Sequence, residues 1–480
     1  MTDLTLAPAT VLVDALRRGE LSSRELLAAY LDRVARLDGG INAVVTLDAE
    51  RAQHAASAAD EAAARGEFLG PLHGLPVTVK DAIETAGLRS TCGIPELTDH
   101  VPVRDAVAVS RLRAAGAVVF GKTNTPAYAA DAQTYNPIFG TTNNPWDPTR
   151  SPGGSSGGPA AAVAAGLTGF DLGSDLGGSI RMPAGYCGIY GLRPTAGIVP
   201  TRGHIPPAPY GRGGIDLGTV GPLARGPADL GLVLDVLAGP DSPQSTAWRL
   251  DLPPPRAQTL AGYRIAVWPD DPGCPVDPSV GDLIAAAADT LRAAGARLVE
   301  VDAPVDLMES HRLFQRLCQP AMSVGLPDAQ FAQLCTVAAR DDDTSHTRWA
   351  RDVTARARDV GFAAERRLTL AERWAAFFQE HDALLCPVAP TTALPHDQST
   401  GDRWITVDGA KCDYWDQVIW TQAISVAHLP VAAVPVGRAA DRLPVGAQLV
   451  GPYLEDRTVV DLAGHLAEVL EGFVPPPQVR

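Results

Sequence analysis

Short apolar runs of four to six residues recur along this chain with longer amphipathic stretches between them. That alternation restricts the fold more than any other feature. Leu75–Lys80, Ala117–Phe120, Arg264–Trp268, Ala383–Cys386, Val431–Val436 and Val445–Val450 read as buried strands. The stretches near 105–115, 277–294, 306–320, 345–380 and 455–470 read as helices. Strands interleaved with helices predict an α/β layered fold. The first seventy residues read as helical. Ser22-Ser23-Arg24-Glu25 fits a capping box opening an amphipathic stretch to about Leu37, and a second, Ala-rich stretch runs from about Asp48 to Arg65. No internal repeat and no long linker interrupts the chain. The expected organisation is an N-terminal helical segment, residues 1–70, packed on a main domain, 71–480, with a tail from about 472 carrying the prolines at 475–477.

Composition narrows the class. Of 480 residues, 46% are hydrophobic, which is ample for a core. Forty Lys and Arg against fifty-five Asp and Glu give a formal charge of −15. That sign does not suit a protein that tracks nucleic-acid phosphates, so no nucleic-acid partner is expected. No run of about twenty apolar residues is present, so neither a membrane span nor a membrane partner is expected. The start, Met1-Thr2-Asp3-Leu4, lacks a basic region followed by an apolar run, so no signal peptide is expected. Seven cysteines are dispersed without a C-x-x-C pair, the pattern of buried thiols in a reducing compartment. The expected location is the cytoplasm. Asp341-Asp342-Asp343 reads as the solvated start of a helix rather than a metal site.

Much of the excess of glycine and proline, 46 and 41 residues in the chain, lies between 137 and 227, around two Gly/Ser loops. Gly153-Gly154-Ser155-Ser156-Gly157 satisfies G-x-S-x-G, the nucleophile-elbow pattern. That elbow requires a strand before the serine, and the prolines at 145, 148 and 152 make the approach a loop. Pro159 then opens a helix whose N–H groups point back at the glycines. The second loop is Gly173-Ser174-Asp175-Leu176-Gly177-Gly178-Ser179-Ile180-Arg181. Two glycines before a serine allow successive backbone N–H groups to converge, the geometry that holds an oxyanion. Asp175 and Arg181 read as an ion pair bracing this loop. A serine nucleophile needs a base. None of the ten histidines can be placed beside a serine from sequence alone. Lys80, ending a buried strand, is a second candidate, because burial lowers a lysine pKa. Without more context the residue reads rather as a strand-end lysine reaching solvent. Gly116 to Thr123 matches the phosphate-loop pattern, but its interior, Ala117-Val118-Val119-Phe120, wants to be a buried strand.

Taken together, Leu75 to Asp81, Gly121-Lys122-Thr123-Asn124, the Gly/Ser loop and Asp175 to Arg181 resemble the amidase signature family. Asn136 to Gly140, Gly188 to Thr195 and Leu443 to Gly451 extend the similarity over about residues 10–470. The resemblance implies a single α/β/α domain with a large mixed β-sheet covered by helices. It implies a Ser-cisSer-Lys triad: Ser179 as nucleophile, Ser155 as the bridging serine on a cis peptide, and Lys80 as base. It thereby reverses the G-x-S-x-G reading, which would have Ser155 attack. The oxyanion hole implied is built on the N–H groups of Leu176, Gly177, Gly178 and Ser179. No metal and no cofactor are expected.

Departures bear on substrate. Leu176 stands where the family usually has Thr, Ile or a small residue, and Ala129 matches a position that contacts substrate. With Tyr135 these predict an apolar acyl site. His428 replaces a common Gly, and Pro206-Pro207-Ala208-Pro209-Tyr210 reads as a rigid turn or a lid. The expected reaction is hydrolysis of an apolar or aryl amide through an acyl-serine. The substrate is a small-molecule amide, ester or carbamate, and the protein a monomer or homodimer. The alternatives are a carbamate (urethane) hydrolase on the same triad, the amidase subunit of a tRNA-dependent amidotransferase, and a nucleotide-binding protein using Gly116 to Thr123.

Overall fold

Pro76–Lys80 is buried at every position, as a strand covered on both faces must be. In the computed structural model this strand, β2, lies inside an eleven-stranded sheet. The structure describes residues 3–206, 209, 211, 214 and 216–479. In chain order the sheet strands are β1 (Val44–Leu47), β2 (Pro76–Lys80), β3 (Val118–Thr123), β4 (Asp171–Asp175), β5 (Tyr190–Arg193), β6 (Thr219–Ala224), β7 (Arg264–Val267), β8 (Arg297–Glu300), β9 (Ala383–Pro387), β10 (Val431–Arg438) and β11 (Pro444–Val450). Their spatial order is β1-β3-β2-β4-β6-β5-β10-β11-β9-β7-β8. β2 runs parallel to both β3 and β4, while β4–β6, β6–β5, β5–β10, β10–β11 and β11–β9 are antiparallel. The fold is a single α/β domain with a large mixed sheet covered by helices, as the alternation and the resemblance implied.

The helices start where local chemistry stops the backbone from going elsewhere. Ser22 accepts from the N–H of Glu25 at 3.1 Å and Glu25 reaches back to the N–H of Ser22 at 2.9 Å, so the capping box opens Ser23–Ile41. The N-terminal segment is not wholly helical. Val44–Leu47 pairs with β3 and forms one edge of the sheet, a strand of four residues too short to stand out between two helices. The expected helix over 345–380 is two, Ser345–Val353 and Ala357–Glu380, and no Gly or Pro marks the break. Thr344 caps the first of them and accepts from the N–H of Thr347 at 3.2 Å, so Asp341 to Asp343 precede it in an exposed turn.

The end of the chain is also not a free tail. Val479 is buried beside Val34, Ala43 and Leu167, and its carbonyl accepts from Arg33 at 2.6 Å. Among the described residues no helix is long and apolar enough to cross a membrane, and all seven cysteines are free thiols.

Candidate active site

Adjacent parallel strands β2 and β4 end at the same edge of the sheet, where the loops of open α/β sheets form crevices. Lys80 closes β2, and Ser174 and Asp175 close β4. The two Gly/Ser loops lie over these ends. Ser155 and Ser156 precede the helix Gly157–Ala164, and Ser179 precedes the helix Arg181–Cys187. The N–H of Ser156 donates to the carbonyl of Ser179 at 3.1 Å, tying the two loops together. The Gly154–Ser155 peptide is cis.

Lys80 has no solvent exposure, and among the described residues no carboxylate bonds it. Its Nζ donates to Ser155 Oγ at 2.7 Å, Ser156 Oγ at 2.9 Å and Ser174 Oγ at 3.0 Å. Burial pushes its pKa down to about 7, against the pull of Asp175 and Asp171 further off. A lysine in such surroundings exchanges its proton near neutrality. Ser156 and Ser174 were not singled out in the sequence, although both lie inside the two motifs that were. His204 was missed altogether. It is buried, with Nε2 2.8 Å from Ser174 Oγ and Nδ1 3.1 Å from the carbonyl of Pro206. No local pattern marks it among ten histidines; the bridge between Ile83 and His204 brings it back to the strand end.

The second loop is braced from below. Arg181 grips Asp175 through Nε–Oδ2 at 3.0 Å and Nη2–Oδ1 at 2.9 Å, with both side chains fully buried. Burial works against the charge of Asp175, but Arg181 and Arg193 outweigh it and hold the carboxyl well below the usual range. The remaining donors of Arg181 reach Thr421 O, Gln448 Oε1 and Ser425 Oγ. The carboxylate also accepts from the N–H groups of Gly178 at 2.8 Å and Ile180 at 3.0 Å. The Gly178 N–H, one of the four expected to face an oxyanion, thus donates to Asp175 here. The N–H groups of Leu176, Gly177 and Ser179 have no partner among the described residues. Gly178 itself is required: its φ is +125°, and a Cβ there would lie 2.4 Å from Thr421 Oγ1.

Around the loop the surface is mixed. Leu176 packs on the main core, and a Cβ on Gly177 would meet Phe314 Cζ and Gln422 Cγ at 2.9 Å. Neither Phe314 nor Gln422 was anticipated. Ala129 is half-buried against Ala82, Cys92 and Ile205, with a left-handed φ of 53° that follows the equally left-handed Tyr128. Tyr135 does not add to an apolar wall. Its hydroxyl lies 3.2 Å from Asp131, which also takes Tyr414 and Arg403. His428 has a φ of 63°, the conformation that makes Gly common there, and faces Asp216 and Arg367. Of the proline loop, 207, 208 and 210 lie outside the described residues; the Ile205–Pro206 peptide is cis. The phosphate-loop match fails as a site: Val118–Thr123 is strand β3, and Lys122 is buried with Thr85 and Ser90.

Comparison with known proteins agrees with this geometry. A family model described as Amidase matches residues 25–460. Glutamyl-tRNA(Gln) amidotransferase A subunits are among the similar sequences; that of Thermosynechococcus vestitus is 34% identical, covering 95% of this chain and 96% of its own. A bacterial aryl acylamidase of the amidase signature family superposes with a TM-score of 0.80 at 25% identity, covering 97% of this chain and 96% of its own. A structure from a vestigial protein complex bearing on the origins of an s-triazine catabolic enzyme gives 0.79 at 31% identity, covering 96% and 98%.

Proposed function

From the premise that the chain belongs to the amidase family, and so acts on carbon–nitrogen bonds other than peptide bonds, we propose that it hydrolyses a small-molecule amide through an acyl-Ser179 intermediate. One observation carries this reading: a wholly buried lysine, titrating near neutrality, bonded to serine hydroxyls and to no carboxylate. Neutral Lys80 takes the proton of Ser155 as Ser155 takes that of Ser179. Ser179 Oγ attacks the carbonyl, and the N–H groups of Leu176, Gly177 and Ser179 receive the oxyanion, each donor being worth about 3 kcal/mol in such sites. The proton returns through Ser155 to the leaving nitrogen, the C–N bond breaks, and water releases the acyl group as an acid. Asp175 and Arg181 act only by holding the loop. Leu176 and Phe314, beside Gly177, favour an apolar or aryl acyl group, Ala129 is a further proposed contact, and Gln422 offers an amide to a polar substituent. The same chemistry accepts an ester or a carbamate, the latter ending in loss of CO2.

A second reading has its own support. Relatives 34–36% identical over nearly the whole chain include amidotransferase A subunits. The chain would then release an amide nitrogen for transfer to glutamyl-tRNA, with companion subunits holding the RNA. Fluorophosphonate labelling with peptide mapping tests the shared chemistry. Label is expected on Ser179, and Ser179→Ala is expected to lose at least about 10³-fold in kcat/KM with the fold intact. Label on Ser155 alone overturns the roles. Matched anilide, primary amide, ester and carbamate substrates then rank the leaving groups. Glutaminyl-tRNA formed only with companion subunits, and no turnover of anilides by the isolated chain, would select the second reading.

A further inference from the structure

Three hydroxyls surround Lys80 Nζ, and they do not have equal hydrogens to offer. Ser156 Oγ donates to the carbonyl of Ser174 at 3.1 Å and accepts from its N–H at 3.3 Å, so its proton is committed. Ser155 Oγ has no hydrogen-bond partner but Lys80 among the described residues. Ser174 Oγ is decided by His204. The Pro206 carbonyl can only accept, so Nδ1 of His204 carries the ring proton and donates to it at 3.1 Å. Burial, reinforced by the charge of Lys80, pushes His204 down to about 4, so the ring is neutral. Its Nε2 is then bare, and Ser174 Oγ–H donates to it at 2.8 Å.

We infer that His204 is a positioning residue that draws the Ser174 hydrogen away from Lys80, leaving Ser155 as the one hydroxyl able to donate to the lysine lone pair. An ammonium at Lys80 has three N–H bonds for three hydroxyl lone pairs. A neutral amine has two, and its lone pair must accept from a hydroxyl. With Ser156 and Ser174 committed, the proton path runs through Ser155 alone, toward Ser179. Among the described residues His204 bonds Ser174 Oγ and the Pro206 carbonyl, and not Lys80, Ser155 or Ser179. It is held in register by the chain it serves, since the N–H of Ile205 donates to Ala82 O at 2.7 Å and the N–H of Glu84 to Gly203 O at 2.9 Å.

This inference rests on Lys80 acting as base. In His204→Leu the Ser174 hydrogen has no acceptor and turns to Lys80, 3.0 Å away, where it competes with Ser155. The expected result is a fall of about tenfold in kcat with KM within about twofold. His204→Gln can still accept the Ser174 proton through Oε1 and is expected to stay within about threefold of the parent. The decisive measurement is Ser174→Ala added to His204→Leu. Removing the competing hydroxyl is expected to restore about threefold of the lost kcat, an interaction of opposite sign to simple damage. An indifferent His204→Leu, or further loss in the double variant, overturns the role. Should His204→Leu not fold, imidazole 15N shifts of the unmodified protein decide the matter. His204 must be neutral with its proton on Nδ1 across the active pH range, and an Nε2–H tautomer overturns the inference. Turnover surviving in Ser179→Ala would instead remove the underlying reading, so the two failures are separable.

Discussion

Two lysines occupy neighbouring strands of this sheet without exposure to solvent, and the proposed mechanism asks only one of them to move a proton. Lys122 pairs with Val79, and Lys80 pairs with Thr123, so the pleat sends the two side chains to opposite faces. Burial lowers both, Lys80 to about 7 and Lys122 to about 8. The difference lies in what surrounds them. Lys122 donates to the carbonyl of Ile83, to Thr85 Oγ1 at 2.9 Å and to Ser90 Oγ at 3.1 Å. The hydrogens of those two hydroxyls are themselves committed, Thr85 to Ile83 O and Ser90 to Leu88 O. Lys122 therefore has acceptors and nothing to accept from. Lys80 has Ser155. A shifted pKa alone does not separate a base from a strut; an account of the hydroxyl hydrogens does.

The largest expected effect breaks the pair apart directly. Lys80→Met should lower kcat/KM by at least about 10³-fold, while Lys122→Met should stay within about tenfold and show its cost as a lower melting temperature. Steady-state kinetics and thermal unfolding on the two variants are sufficient. Comparable kinetic losses in both would dissolve the distinction.

The next effect is on pH dependence. Protonated Lys80 cannot take a proton, so kcat/KM should fall about tenfold per pH unit below about 7. That limb should persist in Lys122→Met; its displacement by more than about half a unit would show that the two groups titrate together. Stability has its own sign. Both lysines have folded pKa values below the ordinary 10.5, so the unfolded chain binds more protons between about 7 and 10.5. These groups therefore make the fold more stable as pH rises through that window, and below it their contribution is flat.

Sequence patterning made one of these lysines visible for the wrong reason and left the other undecided until the resemblance. Lys122 completes a phosphate-loop match, yet Val118-Val119-Phe120 beside it already point to a strand. Lys80, one of only three lysines, read as a strand-end residue reaching solvent until the Gly/Ser loops were set beside it. The strands at Leu75, Ala383 and Val445 were legible because both their faces are apolar. β4, β5 and β6 were not, because the same segment is dense in Gly and Pro. Gly221 of β6 illustrates why: a Cβ there would lie 2.1 Å from Leu192 O, so close packing demands a residue that patterning reads as a loop. Ser179, Asp175 and Arg181 are close in sequence and readable as one loop. His204, Phe314 and Gln422 arrive from 25 to 243 residues away from Ser179, and only the sheet topology brings them to its loop.

The smallest expected effect sharpens the comparison most finely. Ser90→Ala and Ser156→Ala each remove one hydroxyl from a buried lysine. Under Lys122 the loss strips an acceptor from the ammonium and a donor from Leu88 O, and nothing in the reaction passes through either. The expected change is about 1 kcal/mol of stability and no change in kcat/KM. Under Lys80 the same deletion removes an acceptor of the protonated lysine, and with it the bond to the Ser174 carbonyl. The ammonium loses more than the amine, so the acid limb should move to lower pH while Ser155 keeps its place. A matched pair of pH–rate profiles reads the difference. If Ser90→Ala moves the limb as far as Ser156→Ala does, the proton path is not confined to the face that carries Ser155.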